Sequence, residues 1–526
     1  MYLTQGLHRS LQRHPAKVAL RHVAGDTQRE YTFERLLSDI ARHAAALQAL
    51  GVRAGDRVAL LSPNNDGLIV QLFACWWLGA VACPLNVRWS AAELRHALGD
   101  CGASLLLVDP AFADTAREFE GIAAIVPAEA LAMQARDCTP IEDSRTGGEA
   151  LAAILYTGGT TGRAKGVMLS HANFWSASMT RGAELNNSPD SVTLLVAPLF
   201  HVAGLGRLIG QSIVGGGCVT MPQFRAAAVI DAIARHGITD IIVVPSMLQS
   251  LLDDPSFEPA RVKNLNRIAF GAAPMPPDLL DRALAAWPHA EFFQAYGLTE
   301  TAGAVCINLP ANHTAQARAL GRLASVGRAG LGAEIRVVDE QGREVPRGTV
   351  GEIIVRGPMV TRGYWGQPDT SARALREGWF HTGDGGRMDA DGYLSIADRL
   401  KDMIISGGEN VYPAEVEAAL RGHPAVADVA VIGVADARWG EAVHAVIVLR
   451  AGHAQRDASA LPNGRPNGRP NGPQDGLSDA LMTWCRRQLA GYKCPRSFEF
   501  VAALPLSAAG KVLKTELRAR ARRATA

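Results

Sequence analysis

Short aliphatic runs alternate with longer stretches of helical apolar spacing through most of this chain. Val18 to Arg21, Val58 to Leu61, Ser104 to Val108, Thr193 to Ala197, Asp240 to Val244 and Arg267 to Phe270 read as strands. Runs this short and this apolar suit strands buried on both faces, which is the condition of parallel sheets covered by helices. Between them, Thr32 is a helix N-cap before Phe33 to Leu50, and Gly51 ends that helix. The longest apolar run, Leu68 to Cys83, is interrupted by Gln71 and falls short of a bilayer span. It predicts a buried helix ending near Gly79, then a strand stopped by Pro84. The fold class is α/β, with ligand-binding residues expected on loops past the carboxyl ends of strands.

At 526 residues the chain exceeds one core, and its length suggests about three folded units. From Ala333 the pattern changes to Ile335 to Asp339, a turn at Glu340 to Gly342, and Gly351 to Arg356, predicting a small antiparallel sheet or barrel-like subdomain. The main boundary is placed at Leu400 to Lys401, giving a large domain of parallel sheets layered with helices over 1–400 and a small mobile α+β domain over 401–526. The second domain has its own helix near Pro413 and strands over Val426 to Val434 and Ala442 to Leu449. Within it, Gln455 to Gly476 repeats Pro-Asn-Gly at Pro462, Pro466 and Pro470 and has almost no apolar side chains, so a disordered insert is expected; a helix resumes at Ser478 to Leu489.

A net charge of +2 gives no footprint for nucleic acid. The eight cysteines form no Cys-x-x-Cys, which argues against zinc and for a reducing cytoplasm. No secretory signal opens the sequence, and no transmembrane segment is expected. A homodimer is left open.

The densest chemical signal lies between Leu151 and His171. An apolar run to Tyr156 gives way to Thr157, Gly158, Gly159, Thr160, Thr161 and Gly162, followed by Arg163 and Lys165. Residues this small let successive backbone N–H groups close around an anion, while hydroxyls and cations add to the attraction. The Walker A spacing is absent. A surface hairpin is the weaker alternative, having no use for so many threonines beside two cations. The segment predicts a site for a nucleotide's terminal phosphates.

Other candidates follow strands. His201 and Ala203 come after Thr193 to Pro198; Gly271, Ala272 and Ala273 after Arg267 to Phe270; and Ala295, Tyr296, Gly297, Thr299, Glu300, Ala302 and Gly303 after Glu291 to Gln294. Small residues there would let a flat ligand approach the backbone, although a lone histidine such as His201 is more often structural. Glu300 beside Thr299 offers hard oxygen ligands suited to magnesium. Asp384, after Gly383 in an expected tight turn, can accept from two ribose hydroxyls; a lone Asp there is otherwise a turn former.

Taken together, Tyr156-Thr-Gly-Gly-Thr-Thr-Gly-Arg-Ala-Lys-Gly166, Tyr296-Gly-Leu-Thr-Glu300, Trp379-Phe-His-Thr-Gly-Asp384, Asp398-Arg-Leu-Lys-Asp402 and Pro505-Leu-Ser-Ala-Ala-Gly-Lys-Val-Leu-Lys514 resemble, in order and over essentially the whole chain, the adenylate-forming superfamily. That superfamily includes acyl-CoA and aryl-CoA synthetases, peptide-synthetase adenylation domains and luciferases. The resemblance implies an active site between a large domain and a mobile one, with ATP and Mg2+ as cofactors and CoA as co-substrate. It implies that Thr157 to Lys165 holds the β and γ phosphates, Glu300 the magnesium, Asp384 the ribose, and Arg399 the ribose or phosphate. Gly271 to Ala273 and Ala295 to Thr299 would flank the adenine and the acyl group. Lys511 matches the catalytic lysine and Lys401 the hinge. Gly407 and Gly408 would approach the acyl group for thioester formation, and Trp439 would stack on the CoA adenine unless it is a core tryptophan. Ser507-Ala-Ala-Gly510 departs from the family, which more often has a Thr and further polar residues there.

The leading expectation from this resemblance is an acyl-CoA synthetase acting on a fatty acid. The alternatives are a hydroxycinnamate or other aromatic acid:CoA ligase, an adenylation enzyme loading a separate carrier protein, and a luciferase-like monooxygenase. The acyl wall, Phe200, His201, Val202, Ala203, Leu205, Gly271, Ala302 and Gly303, is mostly small or apolar. Arg207 is expected on a helix surface, with pairing to a second substrate carboxylate as the rarer option.

Overall fold

The aliphatic runs form the centres of two sheets in the computed structural model, which describes the chain except residues 26, 120, 122–123, 158–163, 272–274, 400–401, 407–408, 437–438, 451–472, 490, 508–510 and 526. The first sheet runs edge to edge through Arg328–Ala329, Gly303–Asn308, Glu291–Leu298, Arg267–Gly271, Asp240–Val243, Val192–Leu195, Gly217–Thr220, Val18–Ala24 and Thr27–Thr32. Its middle is parallel and both ends are antiparallel. The second runs through Ala124–Pro127, Leu105–Val108, Arg57–Leu61, Val81–Pro84, Leu151–Thr157 and Lys165–Ser170. It is parallel except for the last pair. The architecture is therefore α/β with mixed rather than purely parallel sheets. Three of the four antiparallel pairs join strands through connections too short for a crossover helix; the fourth, Gly303–Asn308 with Arg328–Ala329, is joined by residues 309–327.

That last pair carries the threonine-glycine segment, so the loop joins antiparallel strands and is a hairpin in topology. Both strands are largely buried, which a surface hairpin would not be. The helix Asp66–Leu78 packs behind them with almost every residue buried. Asn65 Oδ1 caps it by accepting from Leu68 N at 2.7 Å, and Gly79 ends it in the left-handed conformation at φ +81°. Trp76 Nε1 donates to Ala152 O at 2.9 Å, tying this helix to the strand that enters the loop.

A five-stranded sheet, Glu334–Val338, Gly351–Arg356, Trp379–Met388 and Leu375–Arg376 with Leu394–Arg399 on Trp379–Met388, occupies the region read as a small antiparallel sheet. The chain divides into two compact units, fewer than its length suggested. The first is Met1–Arg336 with Ile354–Thr382 and Asp389–Ser395; the second is Val337–Ile353 with Gly383–Met388 and Ile396–Ala526.

The second unit packs Val416 and Leu420 of the helix Pro413–Arg421 against Val429, Val431, Val443 and Ile447 of the long antiparallel pair Val426–Asp436 and Gly440–Leu449. Its last helix, Lys514–Thr525, is held by Arg518 Nη1 to Asp402 Oδ1 at 2.8 Å and Lys514 Nζ to Glu417 Oε1 at 2.9 Å. Residues 455–472 of the expected disordered insert lie outside the described residues. Its final part, 473–476, belongs to the helix Pro473–Arg486 instead, so helix begins earlier than the sequence suggested.

Arg207 belongs to the helix Val202–Val214 but does not lie on its surface. It is buried, its Nε donates to Thr193 Oγ1 at 2.9 Å, and its Nη2 pairs with the buried Asp240. Removing one partner strands the other charge in the core, so Arg207→Met should cost about 3–5 kcal/mol of unfolding free energy. Thermal or denaturant unfolding reads this, with Asp240→Asn added to Arg207→Met recovering part of the loss.

Candidate active site

Thr157 and Lys165 face each other across the hairpin base as the last register pair before the loop. Residues 158–162, expected on the phosphates, lie outside the described residues, as do Ala272 and Ala273; Gly271 ends its strand. Lys165 Nζ stands 5.2 Å from the centre of the Tyr364 ring. The Tyr364 hydroxyl in turn donates to Glu300 Oε1 at 2.9 Å. Three side chains from distant stretches of sequence thus form a line from the hairpin to Glu300. The sequence reading had missed Tyr364, which sits in a glycine-flanked stretch without periodicity; the Gly363-Tyr364-Trp365 cluster was its only signal.

Glu300 lies buried in the turn Thr299–Thr301, between the antiparallel strands Glu291–Leu298 and Gly303–Asn308. Ala295, Tyr296 and Gly297 were expected on a loop but continue the strand, because the chain folds straight back on itself. Gly297 is required there: a Cβ would overlap the Gly303 carbonyl. Thr301 Oγ1 closes the turn, accepting from Leu298 N at 3.0 Å and donating to Gly303 O at 2.7 Å. Ala302 adopts φ +50° and Gly303 φ +117°. Thr361 N donates to Glu300 O at 2.7 Å, fixing the main chain beneath the carboxylate.

Among the described residues no group of three or more His, Cys, Asp or Glu could hold a metal ion. One buried carboxylate beside the hairpin base fits magnesium, which keeps most of its ligands as water and phosphate oxygens. Glu300 would hold it.

The loop before His201 is set by Asn64, another residue the sequence reading passed over. Its Nδ2 donates to Ala197 O at 2.9 Å and its Oδ1 accepts from Leu199 N at 2.9 Å. His201 and Ala203 follow at the start of the helix Val202–Val214, with the Phe200 and His201 rings 4.7 Å apart.

In the second unit Asp384 is buried within the strand Trp379–Met388, not in a tight turn, because the strand continues through Gly383 despite its φ of +69°. Gly383 N donates to Glu352 Oε1 at 3.1 Å. Arg399 ends the strand Leu394–Arg399, and Lys401, Gly407 and Gly408 lie outside the described residues. Trp439 is half-buried, with the Arg496 guanidinium 4.4 Å from its ring centre, so it is no core tryptophan. Lys511 is exposed and its main chain is bonded to Ser507: its N donates to Ser507 Oγ at 3.1 Å and its O accepts from Ser507 N at 2.7 Å. The departing Ser507 therefore holds the Lys511 main chain directly.

Residues 7–365 match the family described as AMP-binding enzyme, and 415–511 match the AMP-binding enzyme C-terminal domain. The chain belongs to the AMP-binding enzymes. Among relatives of this AMP-binding enzyme is a feruloyl-CoA synthase of Amycolatopsis sp, 40% identical over 515 residues that span 96% of each chain. The fatty acid–[acyl-carrier-protein] ligase ScoC of Streptomyces coeruleorubidus is 36% identical over 94% of this chain and 92% of its own. The o-succinylbenzoate CoA synthetase of Bacillus subtilis, solved with its acyl-adenylate, superposes with a TM-score of 0.84 at 32% identity, covering 98% of this chain and 97% of its own. The same protein has been solved with ATP and magnesium, with a TM-score of 0.83 at 32% identity over 97% of this chain and 98% of its own.

If Tyr364 orients Glu300, Tyr364→Phe should leave the fold intact and raise the magnesium concentration needed for half-maximal AMP formation by about tenfold, the loss of a hydrogen bond to a charged group. A magnesium titration at saturating ATP, beside a thermal melt, checks it.

Proposed function

We propose that this AMP-binding enzyme is an aromatic acid:CoA ligase, forming an acyl adenylate from the acid and ATP and then a CoA thioester, with release of pyrophosphate and AMP. The observation that carries the reading is the line from Lys165 through Tyr364 to Glu300, which sets a cation and a buried carboxylate at the base of the threonine-glycine hairpin. The 40% identity to a feruloyl-CoA synthase favours an aromatic acid over the fatty acid expected from the sequence.

In the first half-reaction two anions must meet, the substrate carboxylate and the α-phosphate, so catalysis consists of cancelling charge and holding the groups in line. Lys511 is assigned to bridge those two groups, the segment Thr157 to Lys165 to grip the terminal phosphates, Asp384 and Arg399 to hold the ribose, and Gly271 with Ala295 to Thr299 to flank the adenine. Bound at Glu300, magnesium supplies neutralisation of the triphosphate. His201, Ala203, Ala302 and Gly303 line the acyl group. No side chain is needed as a nucleophile. The thioester step is assigned to Gly407, Gly408 and Trp439, and we keep the domain boundary at Leu400 to Lys401 with Lys401 as the hinge.

A second reading, transfer to a carrier protein, is favoured by the ScoC relative. It is separated from the first by whether free CoA accepts the acyl group. We place the protein in the cytoplasm, on its eight cysteines without a disulfide; among the described residues no helix is long and apolar enough to cross a membrane. A homodimer, left open by the sequence, would give a light-scattering mass of twice 55.8 kDa.

Lys511→Ala should lower acyl-adenylate formation by at least about a thousandfold, the scale of a lost transition-state charge contact. Thioester formation from supplied acyl adenylate should survive; equal loss of both steps sinks this division of labour. Lys401→Pro, which fixes φ, should impair the thioester step more than adenylation in the same two assays.

A further inference from the structure

The helix His171–Glu184 carries a cation that the proposed reaction does not use. Arg181 Nη2 donates to Gly206 O at 2.6 Å, while its Nε is buried without a hydrogen-bond partner. Burial lowers its pKa to about 10, still leaving the group charged at neutral pH. Among the described residues Arg181 forms no ion pair. The neighbouring Arg207, close enough to repel it, is committed to Asp240. Of these two guanidinium groups only Arg207 therefore has a carboxylate partner among the described residues, and an uncompensated buried charge is costly.

Glycines make room for this cation. A Cβ at Gly210 would collide with Arg181 Nη2. A Cβ at Gly206 would stand 3.9 Å from Arg181 Nη1 and 3.8 Å from Ala302 O. The guanidinium thus borders Gly206 on one side, and the Ala302 and Gly303 turn assigned to the acyl group borders it on the other. The guanidinium is buried although the residue as a whole is only half-buried.

We propose that Arg181 is a specificity residue that pairs with a carboxylate on the substrate remote from the reacting carboxyl, so that the preferred acids are aromatic dicarboxylic acids. This rests on the ligase reading above. The ligand supplies the counter-ion that the protein withholds, and the planar guanidinium takes a carboxylate through two parallel hydrogen bonds. An apolar acid of the same length leaves the charge uncompensated.

The test is CoA-dependent AMP release by the full chain with cinnamate, 4-hydroxycinnamate and 4-carboxycinnamate. The wild type should prefer 4-carboxycinnamate over cinnamate by about 100-fold in kcat/KM, the scale of a buried charge pair. Arg181→Leu should abolish that preference while leaving cinnamate turnover within a fewfold of wild type. Arg181→Gln, which retains a donor for the Gly206 carbonyl, should do the same and serves if the leucine variant does not fold. Equal wild-type turnover of cinnamate and 4-carboxycinnamate, a higher kcat/KM for 4-hydroxycinnamate, or parallel loss on all three acids in both variants overturns the proposal. If cinnamate turns over but 4-carboxycinnamate does not, Arg181 is misassigned and the ligase reading stands. If no carboxylic acid, aromatic or fatty, releases AMP, both fail.

Discussion

Thr361 to Trp365 hold the first unit's chemistry in place. The strand Lys165–Ser170 is the outer strand of its sheet, and an uncovered strand edge is a row of unsatisfied backbone groups. This segment covers it: Met168 N donates to Gly363 O at 3.0 Å, Trp365 N to Gly166 O at 2.8 Å, and Thr361 Oγ1 to Met168 O at 2.5 Å. The same few residues then reach Glu300 through Thr361 N and the Tyr364 hydroxyl. One stretch of backbone thus closes a sheet edge and fixes the distance between the hairpin and the carboxylate.

Rigidity near Glu300 comes from close backbone approach. Gly297 lies against the Gly303 carbonyl, and a Cβ at Gly271 would stand 2.5 Å from Ala295 O. Larger side chains would push these strands apart and move the turn that carries Glu300. Asn64 does comparable work for the loop before His201, satisfying backbone groups past a strand end where the sheet no longer can. Small residues in the motifs are therefore first a packing requirement, and the open surface they leave for a ligand follows from it.

Buried charge is treated in two ways. Arg207 and Asp240 neutralise each other within the core, whereas Arg181 lies against Gly206 and Gly210 and donates to the Gly206 carbonyl. The contrast separates a cation that is paired within the fold from one that, among the described residues, forms no ion pair. In the second unit, Arg518 and Lys514 are likewise spent on Asp402 and Glu417.

The sequence alone determined the α/β class, the buried helix ending at Gly79, the N-cap at Thr32, the helix at Pro413 and the order of the motifs. Each depends on neighbours along the chain: an apolar period, a capping oxygen, a fixed proline φ, a glycine free to turn left-handed. It also pointed to Glu300 and Lys165 by their chemistry. Only the tertiary structure decided that Ala295 to Leu298 remain strand, that Asp384 lies within one, that Tyr364 grips Glu300, and that Arg207 has an ion-pair partner while Arg181, among the described residues, has none. Those outcomes hang on hydrogen bonds and charges between residues far apart in sequence, such as Tyr364 and Glu300 or Asn64 and Leu199, and no local pattern encodes which distant partner a side chain will meet.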